Sequence, residues 1–412
     1  MGFQSGLSGL NAASKNLDVI GNNVANSSVV GFKGSVTQFA DVFASSLGGG
    51  GATQIGIGTK VKNVAQTFNQ GNITPTDNPL DIAINGRGFF RVDDNGTIAY
   101  SRNGQFRLDS QGFLVNSDGS NLTGYGVDAN GNIVNAAPSP IQFNTSDIPP
   151  NATTAFTAGF NLDSRLSPPA VAPFDPNNTA TYNFTTSGTT FDTLGNAHVF
   201  TMFFGRTATV GQWAVHGTVD GTAPANVDLG AGAGNPVLIN FSNTGALTTA
   251  MPLSAALTVS TGAVTPVAFT LDFSNSTQYG AVSSVNALTQ NGYTSGRLAG
   301  FNIATDGVIV GRYSNGQSRN LGQVVLADFV NPQGLGPLGD NLWQETADSG
   351  LALVGAPGTG TLGNMQSGAV EDSNVDLTAE LVNMITAQRN YQANAQTIKT
   401  MDAVLQTLVN LR

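Results

Sequence analysis

Asp376-Leu377-Thr378-Ala379-Glu380-Leu381-Val382-Asn383-Met384-Ile385-Thr386-Ala387-Gln388-Arg389-Asn390-Tyr391 opens a run that holds no Gly or Pro as far as Arg412. Steps of four and three carry a stripe through Leu377, Leu381, Met384, Gln388, Tyr391, Ala395, Ile398, Asp402, Leu405 and Val409, the heptad spacing of a helix with one adhesive seam. Asp376 offers an acceptor side chain at the N-cap, and Glu380 adds negative charge to the first turn. The run therefore predicts one helix of about 35 residues, about 50 Å long. Its other face is Asn, Gln and Thr (Asn383, Thr386, Asn390, Asn394, Thr397), and only five residues from 377 to 412 are charged. A solvated helix ordinarily carries Glu and Lys; an uncharged polar face can be surrounded by protein without stripping water from ions.

The opposite end of the chain repeats the pattern. Phe3, Leu7, Leu10, Ser14, Leu17, Gly21 and Val24 form a second heptad seam with two small residues in it. Each stripe has the other stripe, or copies on neighbouring chains, as its natural partner. An isolated amphipathic pair has little to pack against, so the spacing predicts that both ends become helical only in an assembly.

Between the helices the period changes to two. Residues 36–68 read as a long glycine-tipped hairpin linking helix to body, too rich in Gly for a rigid spacer. From 71 to 145, Asp93-x-x-Gly96, Asp109-x-x-Gly112 and Asp128-x-x-Gly131 separate strand-like runs as turns in which Asp bonds its own backbone. Residues 290–360 share that texture. The block 146–289 differs: it has no Lys, seven acidic and two basic residues, and recurrent strands of a β-sandwich or barrel. The fold class expected is mainly β with terminal α-helices and nested β domains. The division is 1–35 with 364–412 as a coiled-coil core, 36–70 as hairpin linker, 71–145 with 290–363 as a discontinuous body, and 146–289 as an inserted outer domain.

Composition excludes much chemistry. Of 412 residues, 42 are charged, about a tenth where a quarter is usual, and the net charge is −10. That balance argues against nucleic acid, and no apolar run suits membrane insertion. Zero Cys and two His remove disulfides, thiolate sites and most metal or triad chemistry, so neither a cofactor nor a metal is expected. His198 and His216 read as ordinary strand imidazoles, and Trp213 and Trp343 as core aromatics. Gly355-Ala356-Pro357-Gly358-Thr359-Gly360-Thr361 has the glycine spacing of a phosphate loop, but Thr361 replaces the required Lys. An enzyme is not expected. The N-terminus lacks the basic and apolar regions of a cleaved signal.

The ends also carry a resemblance. Leu10-Asn11-Ala12-Ala13, Leu17 to Asn26 (with Asn22-Asn23 and Asn26) and Gly31-Phe32-Lys33 resemble the N-terminal signature of the bacterial flagellar rod and hook axial proteins. Ser373-Asn374-Val375-Asp376-Leu377 and Ala387-Gln388-Arg389-Asn390-Tyr391 to Thr400 resemble that family's C-terminal signature. Val29 departs from it, standing where the family usually has Thr, and a local loss of a capping hydroxyl is expected.

The large β insertion and the length are similar to the hook members rather than the shorter rod members. The resemblance implies a structural subunit that self-assembles into a hollow, flexible helical tube, a universal joint passing motor torque to the filament. It implies as partners other copies of the chain, the rod, hook-cap and hook-filament junction proteins, and the type III export apparatus, which would deliver it to the flagellum without a cleaved signal. A distal rod protein is the nearest alternative; an adhesin or carbohydrate-binding β protein is one from another class.

Overall fold

The computed structural model describes residues 2–42, 56–128, 131–143 and 146–410. The chain forms two compact units, one of residues 1–145, 300–312 and 318–412, the other of 146–299 and 313–317. Among the described residues the α-helices are α1 (Gly2–Ala25) and α2 (Leu377–Asn410); the rest is chiefly strands and turns, so the protein is mainly β with helical ends. Asp376 caps α2 as its position suggests, its Oδ1 accepting from the N–H groups of Thr378 (2.8 Å) and Ala379 (3.1 Å).

In the first unit, α1 leads into β1 (Ser35–Val42), which pairs antiparallel with β2 (Gly58–Gln66) from Ser35↔Gln66 to Val42↔Gly58. The strands of this hairpin form within the segment expected to be one. The hairpin folds back along α1: Ser8 Oγ accepts from Thr59 N–H, and Ser5 Oγ donates to Ile57 O. The glycine-rich tip lies outside the described residues.

The β body closes by pairing its first strands with its last. Ile73–Pro75 runs antiparallel to Ala369–Glu371, and Ile82–Asn85 to Asn364–Ser367. Phe89 and Phe90 adjoin on one strand and so enter opposite faces. Phe90 joins an aliphatic core with Ile82, Ile84, Leu114, Leu122, Val324 and Leu326, while Phe89 joins Tyr100, Phe329 and Trp343 in an aromatic one. The Asp-x-x-Gly turns form for the expected reason. Gly96 N–H donates to Asp93 Oδ1 at 2.6 Å, and Asp109 Oδ1 accepts from Gln111 and Phe113 at 2.8 Å each. The glycine loop after Leu353–Gly355 is a turn against an acidic residue, since Thr361 Oγ1 donates to Asp328 Oδ2; a phosphate would meet a carboxylate there.

The second unit is a sandwich. Phe184–Phe191, Ala197–Arg206, Gln212–Val219 and Val237–Asn240 form one sheet. Val227–Asp228, Leu253–Leu257, Val267–Asp272, Ala155–Asn161 and Ser284–Gln290 form the other. Their inner faces interdigitate through Phe156, Phe160, Phe200, Phe204, Trp213 and Phe273, with Phe156 and Phe200 meeting edge to face at 5.6 Å.

Candidate functional site: the terminal helix pair and its clasp

The helices of the first unit run antiparallel, with Gly6 against Ile398, Gly9 against Asn394, and Asn16 sharing a crevice with Ala387 and Asn390. Small and amide side chains make much of the contact, with Ile398 seated on Gly6. On α1, Gly6, Ala12, Ala13, Ile20 and Asn23 are buried; on α2, Ala387 is buried and Met384, Asn394, Ala395 and Ile398 are half-buried. A Cβ on Gly9 would sit 2.6 Å from Asn394 Oδ1, so a larger residue there would have to displace the Asn394 amide. The crevice between them, about 560 Å³, is closed on one side by Phe39 and Thr59 of the hairpin.

The heptad seams lie elsewhere. Phe3 and Leu7 are each 45 % exposed, and Leu10, Leu17 and Val24 are half-buried. On α2, Leu377, Leu381, Tyr391 and Leu405 are exposed, as are Val382, Ile385, Met401 and Val404. Ile398 belongs both to the seam and to the contact with α1, and Met384 is half-buried; the Val409 side chain lies outside the described residues. Both segments are helical in the single chain, although the spacing leads one to expect order only in an assembly. What the single chain leaves uncovered is the large apolar side chains, because the stripe that meets inside the pair is offset from the Leu stripe.

The signature residues cluster where the helices join the body. Past α1 the chain turns at Gly31, whose φ of +72° favours glycine and whose Cα closely approaches the backbone of Asn103. Gly31 N–H donates to Glu371 O at 2.7 Å. Phe32 follows, half-buried, and then Lys33, which is fully buried. Lys33 Nζ donates to Glu371 Oε1 at 2.6 Å and to Asn69 O at 2.8 Å, while Arg102 Nη1 donates to Glu371 Oε2 at 2.9 Å. One buried carboxylate thus holds two buried cations. Burial pulls the Lys33 ammonium below its ordinary value, Glu371 pulls against that, and Arg102 adds to it.

Two asparagines complete the clasp. Asn23 exchanges both of its amide bonds with the Ser35 backbone, at 2.8 and 2.9 Å. Asn374 Oδ1 accepts from Gly34 N–H at 2.8 Å, and its Nδ2 donates to Thr67 O and Asn69 O. Asn22 and Asn26 bond each other on the last turn of α1, and with Phe32 and Val29 they line an open groove of about 580 Å³. Val29 is 36 % exposed there. Gln388 and Arg389 are exposed on α2. Glu371 and Arg102 carry no signal in the sequence: they lie 338 and 69 positions from Lys33, and nothing in their neighbourhoods marks them as its partners.

Terminal helices, a clasp of signature residues and a β-sandwich are the features to set beside known proteins. Residues 3–33 match the family described as Flagella basal body rod protein, and 366–411 the C-terminal family of the flagellar basal body rod FlgEFG proteins. Residues 83–159 match the Flagellar hook protein FlgE/F/G D1 domain, and 161–293 the Flagellar basal body protein FlaE D2 domain. The chain belongs to the flagellar hook protein family. It is 45 % identical over 419 residues to the flagellar hook protein FlgE of Escherichia coli K12, covering 100 % of both chains. It is 32 % identical to that of Borreliella burgdorferi, covering 99 % of this chain and 98 % of the relative. Among solved structures, the Helicobacter pylori flagellar hook protein FlgE2 aligns with a TM-score of 0.51 at 14 % identity, over 71 % of this chain and 99 % of that one, a likeness of fold.

Proposed function

We propose that this structural subunit of the flagellar hook polymerises through the outward apolar faces of α1 and α2. The observation that carries the reading is the exposure of Phe3, Leu7, Leu377 and Leu381, each close to half exposed, on a helix pair whose internal contact does not use them. Each such side chain, already about half covered, gains about 0.7 to 1.5 kcal/mol when the rest is buried. Identical subunits in an open helical array need heterologous contacts of this kind. Leu10, Leu17, Val24, Met384, Tyr391, Ile398, Leu405 and Val409 continue the same seams.

In this reading the signature residues Asn22, Asn23, Asn26, Gly31, Phe32, Lys33, Asn374, Asp376, Gln388 and Arg389 set the helix pair on the body rather than touch neighbours directly, Gln388 and Arg389 excepted. The fourfold division into helical core, hairpin, body and outer sandwich is part of the proposal. The charge-poor outer surfaces suit a tube that bends, because domains can slide past one another without breaking ion pairs. The product is a flexible hollow joint between rod and filament, contacting rod, cap and junction proteins at its ends and built from subunits exported by the type III apparatus without signal cleavage.

Leu381→Asp tests the seam. Sedimentation and electron microscopy are expected to find curved tubes from the unchanged chain and no polymer from the variant, with the β core still folded by circular dichroism. Normal tubes from the variant overturn the seam's role, and straight tubes from the unchanged chain favour a distal rod subunit.

A further inference from the structure

The two histidines of the sandwich unit occupy opposite environments. His216 stacks on Phe174 with ring centroids 4.0 Å apart, and burial lowers its pKa. His198, on the strand Ala197–Arg206, is 4 % exposed and has a carboxylate at each ring nitrogen. Nδ1 is 2.6 Å from Asp220 Oδ2, and Nε2 is 3.2 Å from Asp192 Oδ2.

Asp192 accepts from the Leu194 and Asn196 backbone N–H groups, from the Asn196 side-chain amide and from the Thr261 hydroxyl. Burial opposes its ionisation, but these donors, Thr261 and Asn196 foremost, outweigh it and hold the carboxyl below its ordinary range. Asp220, through its other oxygen, accepts from Val199 N–H at 2.8 Å. Among the described residues, Asp192 and Asp220 are the charged groups facing the ring.

A neutral imidazole has one N–H and one lone pair. Whichever tautomer it adopts, one of the two carboxylates would face that lone pair. An imidazolium donates to both. We propose that His198 is a proton-operated latch: protonated, it ties the 192–196 turn, the start of its own strand and the 220–221 turn together, and its deprotonation releases this rim of the sandwich. The latch reaches a third segment, since Thr261 bonds Asp192 and Val264 N–H donates to Thr193 Oγ1 at 3.0 Å. The loop between the strands Leu253–Leu257 and Val267–Asp272 is thereby part of the unit that loosens.

Burial by itself lowers the His198 pKa, and the bonds to Asp220 and Asp192 overcome it and leave the pKa above the ordinary 6.5. A folded-state value above the unfolded one gives stabilisation that is complete below about 6.5 and is lost as pH rises through the folded value.

Nitrogen NMR of the histidine rings in the full chain, from about pH 5.5 to about pH 9, tests this. The expected result is a His198 ring that titrates above the ordinary 6.5 and is protonated on both nitrogens below its midpoint, with His216 titrating below 6.5. Thermal melting of the sandwich should fall by about 3 °C across the His198 titration, and His198→Gln should remove that slope. Asp220→Asn, altered at a partly exposed carboxylate, should lower the His198 midpoint, and it decides the matter by NMR if His198→Gln does not fold. A His198 ring that titrates at or below 6.5, or melting profiles of parent and His198→Gln that stay parallel, overturns the latch.

Discussion

The sandwich interior and the interface between the terminal helices are built from opposite materials. The sandwich fills its centre with Phe156, Phe160, Phe200, Phe204, Trp213 and Phe273, all essentially inaccessible. The helix pair meets through Gly6, Gly9, Ala13 and Ala387, and leaves Leu7, Leu381 and Leu405 outside. Large rings bury enough area for one chain to hold itself together; small residues bring backbones close but remove little apolar surface from water. The sandwich is complete in one copy of the chain. The helical ends are shaped but unfinished, which is what a subunit needs if assembly is to supply the missing burial.

Between these extremes stands the clasp, whose stabilisation is ionic. Glu371→Gln should be the most damaging single change in the helix-bearing unit, costing about 3 to 5 kcal/mol, because Lys33 and Arg102 would stay buried without a counter-charge. Calorimetry is expected to lower the transition of that unit while the sandwich melts unchanged. Phe204→Ala should cost a similar or slightly smaller amount, about 3 to 4 kcal/mol, and only in the sandwich transition. Should either variant shift both transitions equally, the distinction between the two regions fails.

Gly9→Val is a smaller perturbation, about 1 to 3 kcal/mol, since Asn394 must give way for the new side chain. Limited proteolysis should then remove α2 faster than in the parent; an unchanged rate would mean that the helices are not held by close approach. Smallest of all is the effect of Leu381→Asp on the single chain, less than about 0.5 kcal/mol at an exposed position. Its contrast with the complete loss of polymer expected under assembly conditions separates side chains that fold the subunit from those that join subunits.

Much of this was legible in the residues. The absence of Gly and Pro after Asp376, with an acceptor at the cap, marks α2 to within a residue of its start at Leu377. Asp93 and Asp109 mark turns because their side chains bond backbone two to four positions away, a range a sequence displays directly. The inner stripe of the helix pair was hidden: Gly9, Ala13 and Asn394 have no hydrophobic weight to set against Leu7 and Leu381, so periodicity points to the seam that stays outside. His198 looked like any strand imidazole, because Asp220 reaches it from 22 positions away and only the pairing of neighbouring strands brings them together.

The sequence by itself determined the class of the fold, the start of α2, the turn chemistry and the family, since these rest on local spacing and on contiguous signatures. Only the tertiary structure decided which face of each helix meets its partner, that the hairpin lies along α1, and that Lys33 shares Glu371 with Arg102. The reason is physical. A hydrogen bond within a turn is specified by neighbours in the chain, whereas a buried charge or a close helix approach is specified by groups that become neighbours only after the backbone between them has folded.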